Sequence, residues 1–435
     1  MKLLTLALWR RIIPCFMLAV FIIVFWRHQY PLPADASGLL WFSRIDPLLL
    51  LAEWRSTGVF PGWFWLPFVM LAITLAGGRL FCGWLCPLGG LLALLPRRYS
   101  RLQSISGLYS SRYAWLLFVL FLLLAGSSWP LFLTPFHLLT EELSRIWQGQ
   151  MPWMLSGIIL SGIFIYPRFW CNHLCPTGLL LAATARWRSG RLVVDNACSH
   201  CGVCTKVCPT HSVQSLEGMV TENCMVCGQC WQNCPQDAIN WRSFTVPKAD
   251  DHSPADLSRR QFFKGGLAVC VAGAGWPLLQ PSAALAVLRP PGAVAEAEFL
   301  ARCSRCSRCV KVCPSQCLVP MPIEAGLTAF LTPRIIPRQA KCELCLLCQD
   351  VCPTMAIEAV PLQQVKIGLA VLDEQRCLVW AEKKLCLLCR EQCPVHAIEA
   401  DEYNRPYVNN ELCVGCGGCE NGCPLKQAAI VVRPI

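Results

Sequence analysis

Charge is scarce in this chain of 435 residues: only 15% are Asp, Glu, Lys or Arg, against 54% apolar residues. So little polar surface leaves a soluble fold short of groups to show water, which places the chain in the membrane class. Histidine is sparse too, with seven scattered residues, and no C-x-x-C-H occurs, which disfavours attached haem. Acidic residues number 27 against 38 basic ones. Much of the resulting net charge of +11 sits in short clusters beside apolar runs, as topology signals do, so nucleic acid is not an expected partner.

Cysteine, by contrast, is abundant at 31 residues. A disulfide framework suits small secreted domains that lack a core, and a chain this long and apolar has no such need. Six runs of ferredoxin type hold 24 of the cysteines. Five, starting at Cys198, Cys224, Cys303, Cys342 and Cys413, read C-x2-C-x2-C-x3-C-P. The sixth, Cys377 to Cys393, has eight residues after its first cysteine. Zinc sites also use C-x2-C pairs, but they do not require an evenly spaced triplet closed by C-P. Three evenly spaced thiolates wrap a loop around one iron-sulfur cubane, and the fourth crosses to the other cluster of a pair. Six runs therefore predict three two-cluster units and a carrier of single electrons.

Four apolar stretches, about Ile12 to Trp26, Phe60 to Gly78, Ala114 to Phe132 and Pro152 to Trp170, are expected to cross a bilayer core of roughly 30 Å. Lys2, Arg10 and Arg11 before the first, and Arg79, Arg97, Arg98, Arg101 and Arg112 between the second and third, mark the cytoplasmic side. Arg186, Arg188 and Arg191 place the first ferredoxin unit on that side as well. Beyond a polar linker, Ser258-Arg259-Arg260-Gln261-Phe262-Phe263-Lys264, an apolar stretch from Gly265 to Leu279 and Ala284-Leu285-Ala286 read in order as a twin-arginine export signal. The expected fold class is an α-helical membrane domain of four spans, with a candidate fifth, carrying three α+β two-cluster ferredoxin-like units. The expected domains are 1–190 (spans), 191–245 (cytoplasmic ferredoxin unit), 246–257 (linker), 258–286 (signal or fifth span, with candidate cleavage after Ala286) and 287–435 (periplasmic four-cluster domain). The expected location is a bacterial inner membrane, crossed several times.

Two further pairs, Cys82-Gly-Trp-Leu-Cys86-Pro87 and Cys171-Asn-His-Leu-Cys175-Pro176, follow the second and fourth stretches. Their i,i+4 spacing puts both thiols of a pair on one helical face, with Pro ending the helix. The repetition implies two related halves that bring four thiols together, as a metal or cluster site, a redox-active thiol pair or part of a quinol pocket.

With these motifs the chain resembles two families joined end to end. Residues 1 to about 245, with Phe81-Cys-Gly-Trp-Leu-Cys-Pro-Leu-Gly89 and Trp170-Cys-Asn-His-Leu-Cys-Pro-Thr-Gly178, look like the NapH-type membrane subunit associated with periplasmic nitrate reductase. Residues 258 to 435, with the Arg259-Arg260 signal, the expanded Cys377 run and Lys366-Ile-Gly-Leu-Ala-Val371, look like its NapG-type partner. The resemblance implies a quinol dehydrogenase with six 4Fe-4S clusters. It would take electrons from menaquinol or ubiquinol to a periplasmic reductase, with a c-type cytochrome and the twin-arginine export machinery as further partners. A polyferredoxin that assists maturation of a metalloenzyme, and a soluble electron store, are the competing readings.

Carried onto this sequence, the crossed ligand sets are Cys198, Cys201, Cys204 with Cys234, and Cys224, Cys227, Cys230 with Cys208, in the first unit. They are Cys303, Cys306, Cys309 with Cys352, and Cys342, Cys345, Cys348 with Cys313, in the second. In the third they are Cys377, Cys386, Cys389 with Cys423, and Cys413, Cys416, Cys419 with Cys393. The tails Ala238-Ile239, Ala356-Ile357-Glu358, Ala397-Ile398-Glu399 and Ala429-Ile430-Val431 are β-prone, and the cores they could close are thin, so clusters are expected to supply much of the folding energy. Cys15 and Cys270 lie in apolar segments as packing thiols, and Cys317 has no assigned role. His28, His137, Glu141 and Glu142 are proton-acceptor candidates for a quinol by position, weighed against solvated loop residues.

Overall fold

The computed structural model describes residues 2–27, 38–95, 106–165, 168–195, 197–214, 219–243, 287–326 and 328–435. Its described residues fall into two compact units, one ending at residue 243 and the other running from 287 to 435. The linker at 246–257, the export signal at 258–286 and His28 lie outside the described residues.

The first unit begins with ten helices: α1 Lys2–Arg27, α2 Gly38–Arg44, α3 Pro47–Thr57, α4 Trp65–Gly77, α5 Pro87–Ala93, α6 Ser106–Leu124, α7 Pro135–Trp147, α8 Trp153–Phe164, α9 Phe169–His173 and α10 Pro176–Thr184. Phe21 of α1, Phe42 of α2 and Phe136 of α7 form its aromatic centre, with Phe21 and Phe42 meeting edge to face at 5.3 Å. Asp46 caps α3 by accepting the Leu48 amide at 3.0 Å and also accepts the Thr177 hydroxyl at 2.6 Å, tying α3 to the start of α10.

No helix among the described residues is long and apolar enough to cross a membrane. This overturns the expected four-span membrane domain with its candidate fifth span. The multi-pass inner-membrane location and the cytoplasmic and periplasmic sides assigned from it are overturned with it. The reason is that an apolar run is not a continuous helix. The stretch at 60–78 yields α4 of 13 residues and that at 152–170 yields α8 of 12, each about 20 Å or less at the helical rise. The third stretch breaks after Leu124, at Gly126 (φ 89°), before a short 3₁₀ turn at Trp129–Leu133. The first shares α1 with Lys2, Arg10 and Arg11. These helices are apolar outside as well as inside: Phe68, Leu160 and Phe164 are exposed.

After α10, β1 (Gly190–Val194) pairs antiparallel with β4 (Ile239–Ser243), and β2 (Val213–Gln214) with β3 (Met219–Val220). The first two cysteine runs lie between β1 and β4. In the second unit the same device recurs: β5 (Leu318–Pro320) pairs with β6 (Pro333–Ile335), β7 (Leu369–Leu372) with β10 (Ile430–Arg433), and β8 (Ile398–Ala400) with β9 (Pro406–Val408). Three of the four β-prone tails enter strands. The tail at Ala356-Ile357-Glu358 makes only an isolated bridge, Ile357 to Ala293, because the facing segment starts with Pro290 and Pro291, which have no N–H to offer a ladder. The apolar clusters around these strands are small and hold many cysteines: Leu192, Val213, Val220 and Ile239 close the first ferredoxin-like core around Cys208, Cys224 and Cys230.

Candidate metal centres

Each perfect run folds its loop in the same way. The residues two and four positions after the first cysteine adopt left-handed backbone: His200 and Gly202, Val226 and Gly228, Arg305 and Ser307, Leu344 and Leu346, Gly415 and Gly417. This curls the peptide around the sulfurs and turns amides inward. His200 and Val226 donate their N–H groups to the Sγ of Cys198 and Cys224, each at 3.4 Å. The crossing cysteines are treated alike. A left-handed residue stands three positions after five of them (His211, Asp237, Gln316, Met355, His396), and the next amide donates to sulfur in Ser212 to Cys208 at 3.3 Å and Ala397 to Cys393 at 3.2 Å. A left-handed L-residue costs roughly 1–2 kcal/mol, so so many persist only where the site demands the geometry. In the expanded run the extra residues form the helical turn Leu378–Glu382, closed by Lys383 at φ 54°, in place of the double curl.

The loops meet in crossed pairs. Cys198, Cys201, Cys204 and Cys234 line one pocket. Cys342, Cys345, Cys348, Cys313 and also Cys317 line a second, and Cys413, Cys416, Cys419 and Cys393 a third. Cys230 lies within electrostatic reach of Cys224, Cys227 and Cys208, and Cys309 of Cys303, Cys306 and Cys352. Cys377, Cys386 and Cys423 pack together beside Val379 and Ala429. Burial pushes the thiols of Cys224 to about 11 and of Cys230 and Cys303 to about 12. Such thiols become thiolates only beside a strong positive charge, which a metal core provides and which inverts the local titration order. The donor set is all sulfur and preorganised by amides, which suits an iron-sulfur core.

The two CxxxCP pairs come together inside the helical region. Cys82, Cys86, Cys171 and Cys175 are each at most 7% exposed and share one apolar cluster with Phe81, Trp170 and Met225. Both halves use one local design. The peptide closes a wide turn, with the Cys86 amide bonded to Phe81 O and the Cys175 amide to Trp170 O, both at 2.9 Å. Pro87 and Pro176 then open α5 and α10, whose N-caps are the cysteines themselves: Cys86 Sγ accepts the Gly89 amide at 3.4 Å and Cys175 Sγ the Gly178 amide at 3.3 Å. Here the sequence-based expectation needs a correction: proline begins the next helix. Gly89 and Gly178 are required, since a Cβ would lie 2.5 Å from Cys82 O in one half and 2.6 Å from Cys171 O in the other.

Sequence reading missed the arginines. Arg79 and Arg168 each precede the first cysteine of their pair by three residues, and each reaches into the opposite half. Arg79 Nη2 donates to Cys171 O at 2.8 Å and Nη1 to Asn172 Oδ1 at 3.0 Å, while Arg168 Nη1 donates to Cys82 O at 3.4 Å. The repeated R-x2-C-x3-C-P-x-G pattern was the available signal. On the other side, Arg79 N–H donates to Cys224 O at 3.4 Å and Trp84 Nε1 to Val226 O at 3.2 Å, so the second cysteine loop sits directly against this centre.

Other candidates resolve differently. His137, Glu141 and Glu142 are buried on α7 and are not solvated loop residues. His137 Nδ1 lies 2.9 Å from Thr134 Oγ1, Arg145 Nε donates to Glu141 at 3.1 Å, and Glu142 accepts the Leu155 amide at 3.0 Å. Cys15 is a half-buried residue of α1. Cys270 lies outside the described residues.

Comparison with known proteins agrees with this reading of the cysteines. A family profile described as a 4Fe-4S binding domain matches residues 59–106 and 151–194, the two segments that carry the CxxxCP pairs. A 4Fe-4S dicluster domain matches 302–356, and a further 4Fe-4S binding domain matches 219–240. The chain is 34% identical over 198 residues to the ferredoxin-type protein NapG of Escherichia coli, covering 41% of this chain and 86% of that protein. It is 35% identical over 200 residues to the methylamine utilization ferredoxin-type protein MauM of Methylorubrum extorquens, covering 42% and 91%. It is 30% identical over 220 residues to the ferredoxin-type protein NapH of Haemophilus influenzae, covering 47% and 75%.

Proposed function

The chain belongs to the NapG and NapH ferredoxin-type proteins, and from that premise we propose that it relays electrons from a quinol, through six 4Fe-4S clusters, toward a terminal reductase such as a nitrate reductase. That it is an iron-sulfur electron-transfer protein follows from the relatives and the 4Fe-4S domains. The observation that carries the finer reading is the crossed cradle: three cysteines of one run face the fourth of its neighbour. Each unit would then hold two clusters a short step apart. The ligands are the six sets of four set out above, from Cys198 to Cys423.

A quinol gives up two electrons and two protons on becoming a quinone, while each cluster accepts one electron at a time. Paired cradles suit that conversion, because a unit can take both electrons in succession while the protons pass to solvent. The chain's own part is to hold the thiolates, to shield them behind Leu192, Ile239, Ile398 and Val432, and to aim amides at sulfur. Such hydrogen bonds stabilise the reduced, more negative state and so set potentials.

The test is to mix anaerobically purified, cluster-replete chain with menaquinol and follow reduced-cubane EPR signals. Signals that a quinol analogue suppresses are expected. If dithionite reduces the clusters and quinol does not, the donor assignment fails. Cells lacking the chain should hold a fully metallated but electron-starved reductase; a reductase without its metals would instead make this a maturation factor.

A further inference from the structure

Two cradles carry a buried arginine that no acid balances. Arg188 is 5% exposed and Arg305 is 2% exposed, and neither takes part in an ion pair among the described residues. Each stands beside the first cysteine of a run, Arg188 at Cys224 and Arg305 at Cys303.

Arg305 occupies the left-handed position two residues after Cys303, at φ 57°, where other runs place His200, Val226, Leu344 or Gly415. Its side chain folds back onto the loop. Nη1 donates to Cys303 O at 3.0 Å, Nη2 to Thr328 O at 2.6 Å and Nε to Phe330 O at 3.0 Å. Carbonyls satisfy its donors but carry no charge to match it.

Arg188 reaches Cys224 from outside the run, just after the 3₁₀ turn Ala185–Trp187. Nη2 donates to Val220 O at 2.7 Å, and Nη1 is buried with no hydrogen-bond partner. Gly78 leaves the space: a Cβ there would lie 3.3 Å from Arg188 Nη1 and 3.6 Å from Cys224 O. Glu222 is within electrostatic reach of Arg188, but it pairs with Arg112 at 2.7 Å and with Arg186 at 4.0 Å. At the sulfurs of both Cys224 and Cys303, burial raises the thiol pKa most and the neighbouring arginine opposes it most.

The companion cradles lack this charge. No arginine or lysine is among the described residues that line the pockets at Cys198 and Cys342, and the second has Glu343 on its wall. A 4Fe-4S core with four thiolates carries two negative charges when oxidised and three when reduced. A fixed positive charge in a low-dielectric interior therefore favours the reduced form.

We propose that Arg305 and Arg188 are positioning residues that raise the potentials of the clusters at Cys303 and Cys224, so that an electron shared within either pair rests on the arginine-backed cluster. One electron leaves the companion cluster, which is oxidised, and enters this one, which is reduced; no bond forms or breaks. In the first unit the resting place is the loop that adjoins the CxxxCP centre, through the Arg79 amide to Cys224 O and Trp84 Nε1 to Val226 O. The inference rests on the ligand sets proposed above.

An EPR redox titration of the full, anaerobically prepared chain tests it, with iron measured on each sample. Cys303→Ser and Cys224→Ser first identify the component that each cradle gives; if neither alters any component, the cluster reading itself fails. Arg305→Gln should keep its iron and lower the midpoint of the Cys303 component alone, and Arg188→Gln that of the Cys224 component alone. The expected loss is at least about tenfold in the electron-sharing constant, or about 59 mV for a one-electron couple. Arg305→Lys and Arg188→Lys keep the charge and should restore most of the shift. Iron retained with midpoints unmoved would overturn the proposal, as would a lysine variant shifted as far as the glutamine one. Where a glutamine variant loses iron, the lysine variant decides: a midpoint near wild type supports the role of charge, and loss of iron there too overturns it.

Discussion

The thiols of Cys313 and Cys317 lie 3.6 Å apart, with Cys317 98% buried and lining the same cavity as Cys342, Cys345 and Cys348. A thiol held there can donate S–H to the ligand sulfur of Cys313. Donation to cluster sulfur favours the reduced state, so Cys317→Ala should lower the midpoint potential of one cluster while iron content stays constant. Cys317→Ser, which retains a donor, should recover part of the shift. An EPR redox titration that finds all midpoints unchanged in the alanine variant would refute this role.

The ion pair between Arg112 and Glu222 fastens the first ferredoxin-like unit to α6. Arg112 Nη2 donates to Glu222 Oε1 at 2.7 Å with the arginine side chain only 1% exposed, and the Tyr113 hydroxyl donates to the same oxygen at 2.8 Å. Glu222→Gln leaves a buried charge unpaired and should cost about 3–5 kcal/mol. Hydrogen exchange at residues 219–224 should accelerate strongly, while exchange at 398–408 stays as it was. Arg112→Leu/Glu222→Leu should be milder than the single change, because no charge is stranded.

Asp46 gives the helical region a pH dependence. Burial pushes its carboxyl up from 3.8 to about 6, against the hydrogen bonds from Thr177 and Leu48. The folded chain holds this proton more tightly than the unfolded one. Its contribution is therefore complete below about pH 4 and is lost as pH rises through about 6, on the order of 3 kcal/mol. Asp46→Asn keeps an acceptor for the Leu48 amide and should flatten the slope of thermal stability between pH 4 and 7. An unchanged slope would assign the pH dependence to another group.

Removal of iron should unfold the ferredoxin-like units. Their loops hold strained left-handed residues such as Val226, Leu344 and Leu346, and their cores count cysteines among their main members. Without a metal core the thiols have no compensating charge, and the remaining apolar contacts are few. After chelation under reducing conditions, protease should cut within 287–435. An apo chain as resistant as the loaded one would contradict this.

The curled loops of the five perfect runs were legible from spacing because loop geometry here is a local property: a C-x2-C-x2-C loop can curl in only a few ways, and two- to five-residue strands close it. The CxxxCP pairs were legible as a repeat for the same reason. Arg79 and Arg168 were not, since each acts on a carbonyl 92 or 86 residues away, and nothing local marks a basic residue after an apolar run as one that reaches into the opposite half rather than a topology signal. Nothing in the spacing marks Cys317 either: only the fold puts its sulfur beside Cys313.

What the sequence by itself determined is the chemistry of sulfur: how many thiols, in which loops, and the iron-sulfur character of the chain. The tertiary structure alone decided how the apolar stretches are used. Hydropathy counts apolar residues, but the length of a helix depends on where the chain turns, and α4 ends at Gly77 just before Arg79 crosses to Cys171. It also decided which thiols share a site, because packing across the two halves, and not spacing, joins Cys82 and Cys86 to Cys171 and Cys175.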